Sequence, residues 1–149
     1  MSRILLPGQS RAVGSVSEEP SLAANHPARQ VAAAVGRFFE GAQPERIPEV
    51  WLDWRQLTEK EGRVARTVAR IPYGATRTYG EIAALAGFQG AARFVGNTMA
   101  KNPFPVIIPC HRVIRADGTI GGFGGGTRLK RRMLELEAGS GKNSGGPDF

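Results

Sequence analysis

Apolar positions show no sustained period over residues 1–25, where Ser, Gly, Pro and Ala dominate, and the segment is expected to be poorly ordered. A period appears at His26. Val31, Val35, Phe38 and Phe39 fall at i, i+4, i+7 and i+8, which predicts an amphipathic helix that Gly41 can end. A linker with Pro44 and Pro48 leads to "WLDW", read as a short extended segment. Thr58 followed by Glu61 has capping-box spacing, and Val64, Val68 and Ile71 then form the stripe of a second helix, broken by "IPYG". Thr78 and Glu81 repeat that spacing and open "YGEIAALAG", a short helix with Gly87 at its C-terminal end. After "FQG", the stretch "AARFVGNTMAKN" predicts another helix, stopped by Pro103. Two short helices about a Gly-containing turn point to a helix-turn-helix.

Beyond these helices the pattern is briefer. "VIIPCHRVI" is bracketed by prolines and too short to be read as a helix, and Asp117-Gly118 between "RVIRA" and "TIGG" predicts a hairpin. "TRLKRRMLELE" is a basic helix with Leu129, Met133 and Leu136 on one face, and "AGSGKNSGGPDF" follows as a flexible tail. The organisation expected is therefore a poorly ordered segment 1–25, a helix and linker over 26–57, a main domain over 58–137 and a tail over 138–149, with no internal repeat.

With 149 residues the chain has room for one ordinary domain. No apolar run is long enough to span a bilayer, and the only apolar patch near the start, Ile4 to Leu6, is too short for a secretory signal. The single cysteine excludes an internal disulfide and a zinc site built on paired cysteines, and it fits a cytoplasmic protein. The net charge of +7 is localised: residues 50–137 hold fourteen basic and seven acidic side chains, whereas 1–49 hold five of each. Such a local excess suggests a polyanion as partner, nucleic acid ahead of a membrane surface.

The one thiol, Cys110, stands between Pro109 and His111, with Arg112 next. Two cations beside a thiol favour the reactive thiolate, and Pro105 and Pro109 stiffen the backbone that presents it. Adjacent side chains of an extended chain point apart, so His111 would reach the sulfur through a water or a bend. The run "GGFGGG" fits neither phosphate-loop pattern, because Gly126 is followed by Thr127 and Arg128 and the run does not open a βαβ unit. It offers close backbone approach to a flat ligand instead.

The segments "IPYGATRTYGEIAALAG", "AARFVGNTMAKNP", "IPCHRVIRADGTIGGFGGG" and "LKRRMLELE", in one order with short spacings, resemble the methylated-DNA–protein-cysteine methyltransferases, the O6-alkylguanine-DNA alkyltransferases. The resemblance runs from about Thr58 to Glu137. It implies an α+β fold, a winged helix-turn-helix-like catalytic domain preceded by a reduced N-terminal region. It implies an activity too: direct, irreversible, single-turnover transfer of an alkyl group from guanine O6 to Cys110 after the base is flipped from duplex DNA. In that role His111 would take the thiol proton through a water, Glu137 would orient His111, and Asn102 would brace the turn carrying Cys110. Tyr79 would help rotate the nucleotide and donate to the base, unless it is plain packing at a helix start. "AARFVGNTMAKN" would be the recognition helix, with Arg93 filling the gap left by the base and Ala91, Ala92 and Gly96 allowing close approach to the minor groove. Val113, Phe123 and Gly124 would line the pocket of the alkylated base. No cofactor or metal is implied, the sulfur being the whole reagent, and the protein would act as a monomer.

The chain also departs from the family pattern. Only about fifty residues precede the matched region, the helix opened by Thr58 lacks the usual aromatic-glutamine pair, and Phe94 stands where the family normally has alanine. The Phe94 ring could hold the recognition helix off the groove or could face the core. The alternative function is a sensor of the alkyltransferase-like kind, which flips alkylated guanine without repairing it; such proteins typically replace the cysteine, and its presence here argues for transfer. A basic nucleic-acid-binding protein with an incidental thiol is the third class.

Overall fold

The computed structural model describes residue 23 and residues 25–140. The segment expected to be poorly ordered lies, apart from Ala23 and Asn25, outside them, as does the end of the expected tail. Local chemistry sets the first helix, α1 (Pro27–Phe39): Pro27 occupies the first turn, where its missing N–H costs nothing, and the His26 ring accepts from the Ala28 N–H. Val31, Ala34 and Phe38 are its buried face. "WLDW" is not extended. It forms two single 3-10 turns, Glu49–Trp51 and Trp54–Gln56, because the Asp53 carboxylate accepts from the Arg55 N–H at 3.1 Å and the Trp54 indole donates to the Glu49 carbonyl at 3.0 Å.

Helix α2 (Glu59–Ala69) opens on the expected capping box, with the Thr58 N–H on Glu61 Oε2 at 2.9 Å and the Glu61 N–H on Thr58 Oγ1 at 3.3 Å. Glu61 is itself buried, and its other oxygen accepts from Lys101 Nζ at 2.8 Å, which ties the start of α2 to the residue that ends helix α4 (Ala92–Ala100). The second capping box, Thr78 with Glu81, opens α3 (Tyr79–Leu85), and α4 (Ala92–Ala100) follows after Gly87 turns the chain at φ +83°. Arg63 from α2 donates to the Ala86 carbonyl at 2.9 Å and lies over the Phe88 ring, so the turn between α3 and α4 is held from outside as well. Val64, Val68, Ile82, Ala83 and Val95 are shielded completely where α2, α3 and α4 meet. Burial of such side chains contributes about 1.5–3 kcal/mol each.

The architecture is helix-dominated α+β with one small sheet. β1 (Arg77–Thr78) pairs in parallel with β2 (Val113–Ile114), Arg77 opposite Val113 and Thr78 opposite Ile114. This corrects the expected hairpin. The Asp117-Gly118 turn exists, closed by the Arg115 N–H on the Thr119 carbonyl and by Asp117 accepting from Thr119, but no strand follows it. Beyond Thr119 the chain is mostly glycine and has few side chains with which to cover a strand. Finally α5 (Thr127–Ser140) packs Met133 fully and Leu129 and Leu136 partly, as their shared face predicts. It runs on through Ala138 and Gly139, so the tail does not begin at Ala138. No helix among the described residues is long and apolar enough to cross a membrane.

Candidate active site

Cys110 opens a single 3-10 turn, Cys110–Arg112, that leads straight into β2. The loop before it is fixed by Asn102, whose Oδ1 accepts from the Phe104 N–H at 2.9 Å while its Nδ2 donates to the Ile108 carbonyl at 2.8 Å. The first closes the turn at Pro103 and the second reaches across to the residue before Pro109, so the thiol is presented by a backbone with little freedom. Inside that stretch Val106 sits at φ +73°, the only described non-glycine residue at positive φ, and a β-branched side chain there is strained by about 1–3 kcal/mol.

Behind the thiol lies a buried ionic cluster. His111 Nε2 is 2.7 Å from Glu137 Oε1. The Arg112 guanidinium donates from Nε and Nη2 to the same carboxylate at 2.8–3.1 Å and from Nη1 to the Ile71 carbonyl at 2.7 Å. The Gly74 N–H completes the set, 2.9 Å from Glu137 Oε2. Three parts of the chain, the loop after α2, the Cys110 turn and α5, are thereby joined at one carboxylate. Burial alone would raise the Glu137 carboxyl, but the donors from His111 and Arg112 outweigh it and hold the group below the ordinary value. For His111 burial wins: the imidazole is held below its usual range despite the pull of Glu137 in the other direction. A neutral ring whose Nε2 donates to Glu137 leaves Nδ1 as the acceptor. That Nδ1 is buried and has no hydrogen-bond partner among the described residues. Phe38, from α1, closes the other side of the ring at 5.2 Å between centroids.

These facts correct one expectation. Cys110 is not a resting thiolate; burial raises its thiol, with Asn102 and Lys130 pulling back only part of the way. Arg112 follows it in sequence but spends its charge on Glu137 and Ile71. The cation that does reach the sulfur is Lys130, fully buried, which donates to the Val113 carbonyl and to Tyr79 Oη and whose own ammonium is pushed down by burial to about 8. Neither Arg112 as a clamp nor Lys130 as a buried amine was singled out from the sequence, where both look like members of basic runs.

In front of the thiol is a cleft of about 690 Å³. One wall is α4, presenting Ala92, Arg93, Gly96 and Asn97; the other is Arg115 with the Gly122–Gly124 loop, and Tyr79 and Cys110 lie between them. Tyr79 is half-buried, its phenol raised first by burial. Gly121, at φ +74°, lets the loop pass over it: a Cβ there would stand 3.0 Å from Tyr79 Oη. Thus Tyr79, Arg93, Ala92, Gly96, Phe123 and Gly124 gather at the cleft, whereas His111, Glu137 and Asn102 support it from behind. Ala91 and Val113 are not part of its lining. Ala91 caps α4 against the core, and Val113 is fully buried with its carbonyl turned to Lys130. Phe94 is on the opposite side of α4 from the cleft, its ring edge-on to Phe88 at 5.5 Å and packed against the core.

Residues 59–139, more than half of the chain, match the model of the 6-O-methylguanine DNA methyltransferase DNA-binding domain. The chain belongs to this family. Among its family relatives, the methylated-DNA–protein-cysteine methyltransferase of Methanothermobacter thermautotrophicus is 45% identical over 104 residues, 70% of this chain and 57% of that protein. The enzyme of that name from Mycobacterium bovis is 52% identical over 89 residues, 60% of this chain and 53% of its own length. This family member therefore spans little more than half the length of these curated relatives. Among solved structures, that of Mycobacterium tuberculosis OGT in complex with DNA superposes with a TM-score of 0.66 at 42% identity, covering 74% of this chain and 67% of that one.

Proposed function

We propose that the protein repairs O6-alkylguanine in double-stranded DNA by moving the alkyl group onto Cys110. The observation that supports this reading is the one thiol in the lining of an open cleft, followed in the chain by a buried imidazole anchored on Glu137. The target carbon lies within the base stack, so the nucleotide must first be turned out, which costs a few kcal/mol. Arg93 on α4 would fill the gap, Ala92 and Gly96 would let the helix sit close, and Phe123 and Gly124 would border the base.

The chemistry then follows from the resting protonation states. A neutral thiol is a weak nucleophile, and His111 Nδ1 is a buried base without a partner; through one water it would accept the thiol proton as the sulfur attacks. Glu137 holds the ring by Nε2, which leaves Nδ1 as the nitrogen that would take the proton, and it would stabilise the imidazolium that forms. The S–C bond forms as the C–O6 bond breaks; the electron pair leaves with guanine, which takes a proton from Tyr79, backed by Lys130. The thioether has no ready leaving group, so each molecule acts once. A lone reactive thiol suits a reducing compartment, and we place the protein in the cytoplasm, working as a monomer.

Intact-protein mass spectrometry after incubation with a short duplex holding one O6-methylguanine tests this. A gain of one methyl group, absent in Cys110→Ala and with undamaged duplex, is expected. Preferential binding to the damaged duplex without any mass gain would overturn transfer and make the protein a sensor.

A further inference from the structure

The two walls of the cleft each carry an arginine. Arg93 stands on α4 and Arg115 at the start of the Asp117-Gly118 turn; both are exposed, and no hydrogen bond or ion pair within the described residues holds either guanidinium. No carboxylate is among the residues lining the cleft. The nearest acid on the Arg115 side, Asp117, keeps its carboxylate on Thr119, at 2.9 Å to the N–H and 2.7 Å to the hydroxyl. The backbone of Arg115 is fixed meanwhile, its N–H on the Thr119 carbonyl and its carbonyl accepting from the Gly118 N–H. The stem of Arg115 runs beside Gly121, where the loop crosses Tyr79. A free fork of donors is thus mounted on a rigid turn at the rim of the site, across from α4.

We propose that Arg115 binds the backbone phosphate next to the extruded nucleotide and so holds that nucleotide in the cleft. The inference rests on the repair reading above. A base that reaches Cys110 on the floor has passed the rim, so the part of the nucleotide left level with Arg115 is its sugar and phosphate. The planar guanidinium matches phosphate oxygens two at a time, and an unpaired fork gives up no internal bond to do so. Arg93, on the opposite wall, has under the repair reading the gap left by the base, so the two arginines would divide the work, one at the hole and the other at the displaced strand.

The test is equilibrium binding to a duplex holding one O6-methylguanine, using the full chain with Cys110→Ala so that no transfer disturbs the measurement. The phosphates on the two sides of the lesion are replaced in turn by uncharged methylphosphonate. With Arg115 present, one of the two replacements is expected to weaken binding about tenfold; with Arg115→Ala neither should cost more than about twofold. Arg115→Ala should also lower the slope of log affinity against log salt by about 1, and Arg115→Lys should restore the slope. The thermal midpoint should hardly move, since the exposed guanidinium has no hydrogen bond or ion pair to lose among the described residues. Equal losses from methylphosphonate with and without Arg115 would overturn the proposal. If the wild-type protein gained no methyl mass from the damaged duplex, the repair reading would fall and take this proposal with it; losses that do not depend on Arg115, with the mass gain intact, would sink this proposal alone.

Discussion

Replacing Glu137 by glutamine is the most informative single perturbation, because that carboxylate serves three donors' residues at once: His111, Arg112 and Gly74. The substitution is nearly isosteric, yet it leaves the Arg112 guanidinium, 8% exposed, without its counter-charge. Breaking one side of a buried pair costs about 3–5 kcal/mol, against a total stability of about 5–15 kcal/mol for a domain. At about 2–4 °C per kcal/mol the thermal midpoint should fall on the order of 10 °C. Thermal unfolding followed by the fluorescence of Trp51 and Trp54 measures the midpoint, and urea unfolding gives the free-energy loss, with an unchanged slope showing that the folded state is otherwise intact. The double variant Arg112→Met, Glu137→Gln removes the orphaned charge as well and should be more stable than Glu137→Gln alone. The pH dependence has a fixed sign. The folded carboxyl is held below its unfolded value, so its stabilisation is full above about 4.3 and is lost as pH falls through the folded value. The gap between wild type and Glu137→Gln must therefore narrow in acid. A loss under about 1 kcal/mol at neutral pH, or a gap that widens as pH falls, would refute the clamp.

Two further changes probe the front of the site. Lys130→Met should raise the Cys110 thiol, since the Lys130 ammonium is one of the influences that lower it; the pH profile of iodoacetamide labelling should shift upward, and an unmoved profile would disconnect the two residues. Gly121→Ala and Gly118→Ala both place a side chain at positive φ, at about 1–2 kcal/mol each, but only the Gly121 Cβ meets Tyr79 Oη. Urea unfolding should find both destabilised, and single-turnover transfer should slow only for Gly121→Ala.

What could be read in the sequence was what local chemistry decides. Thr58 with Glu61 and Thr78 with Glu81 act over three residues, and both boxes form. Val64 and Val68 become core because their period is that of a helix, and Ile71 joins them from just beyond the end of α2. "WLDW" was misread because one carboxylate and one indole bond, not propensity, curl it. The Asp117-Gly118 turn was legible but its partner strand was not, since β2 pairs with Arg77–Thr78, a choice made by packing far along the chain. Cys110 and His111 stood out as a lone thiol beside a histidine, Glu137 only through the family resemblance, and their mutual geometry had to await the structure. Arg112 and Lys130 were hidden for a simple reason: the residues that make them buried, Glu137 and Ile71 for one, Val113 and Tyr79 for the other, lie 17 to 51 positions away. A charge inside a basic run carries no mark of where it will be folded.

The joining of three chain segments at Glu137 has a consequence for synthesis. The carboxylate lies in the last turns of α5, so Cys110 and His111 leave the ribosome before the residue that aligns the imidazole and neutralises Arg112. A nascent or prematurely stopped chain ending short of Glu137 has the sulfur but not the arrangement that arms it. Under the repair function proposed above, reactivity would arrive together with the closing of the fold, and an unfinished copy would keep its thiol unspent.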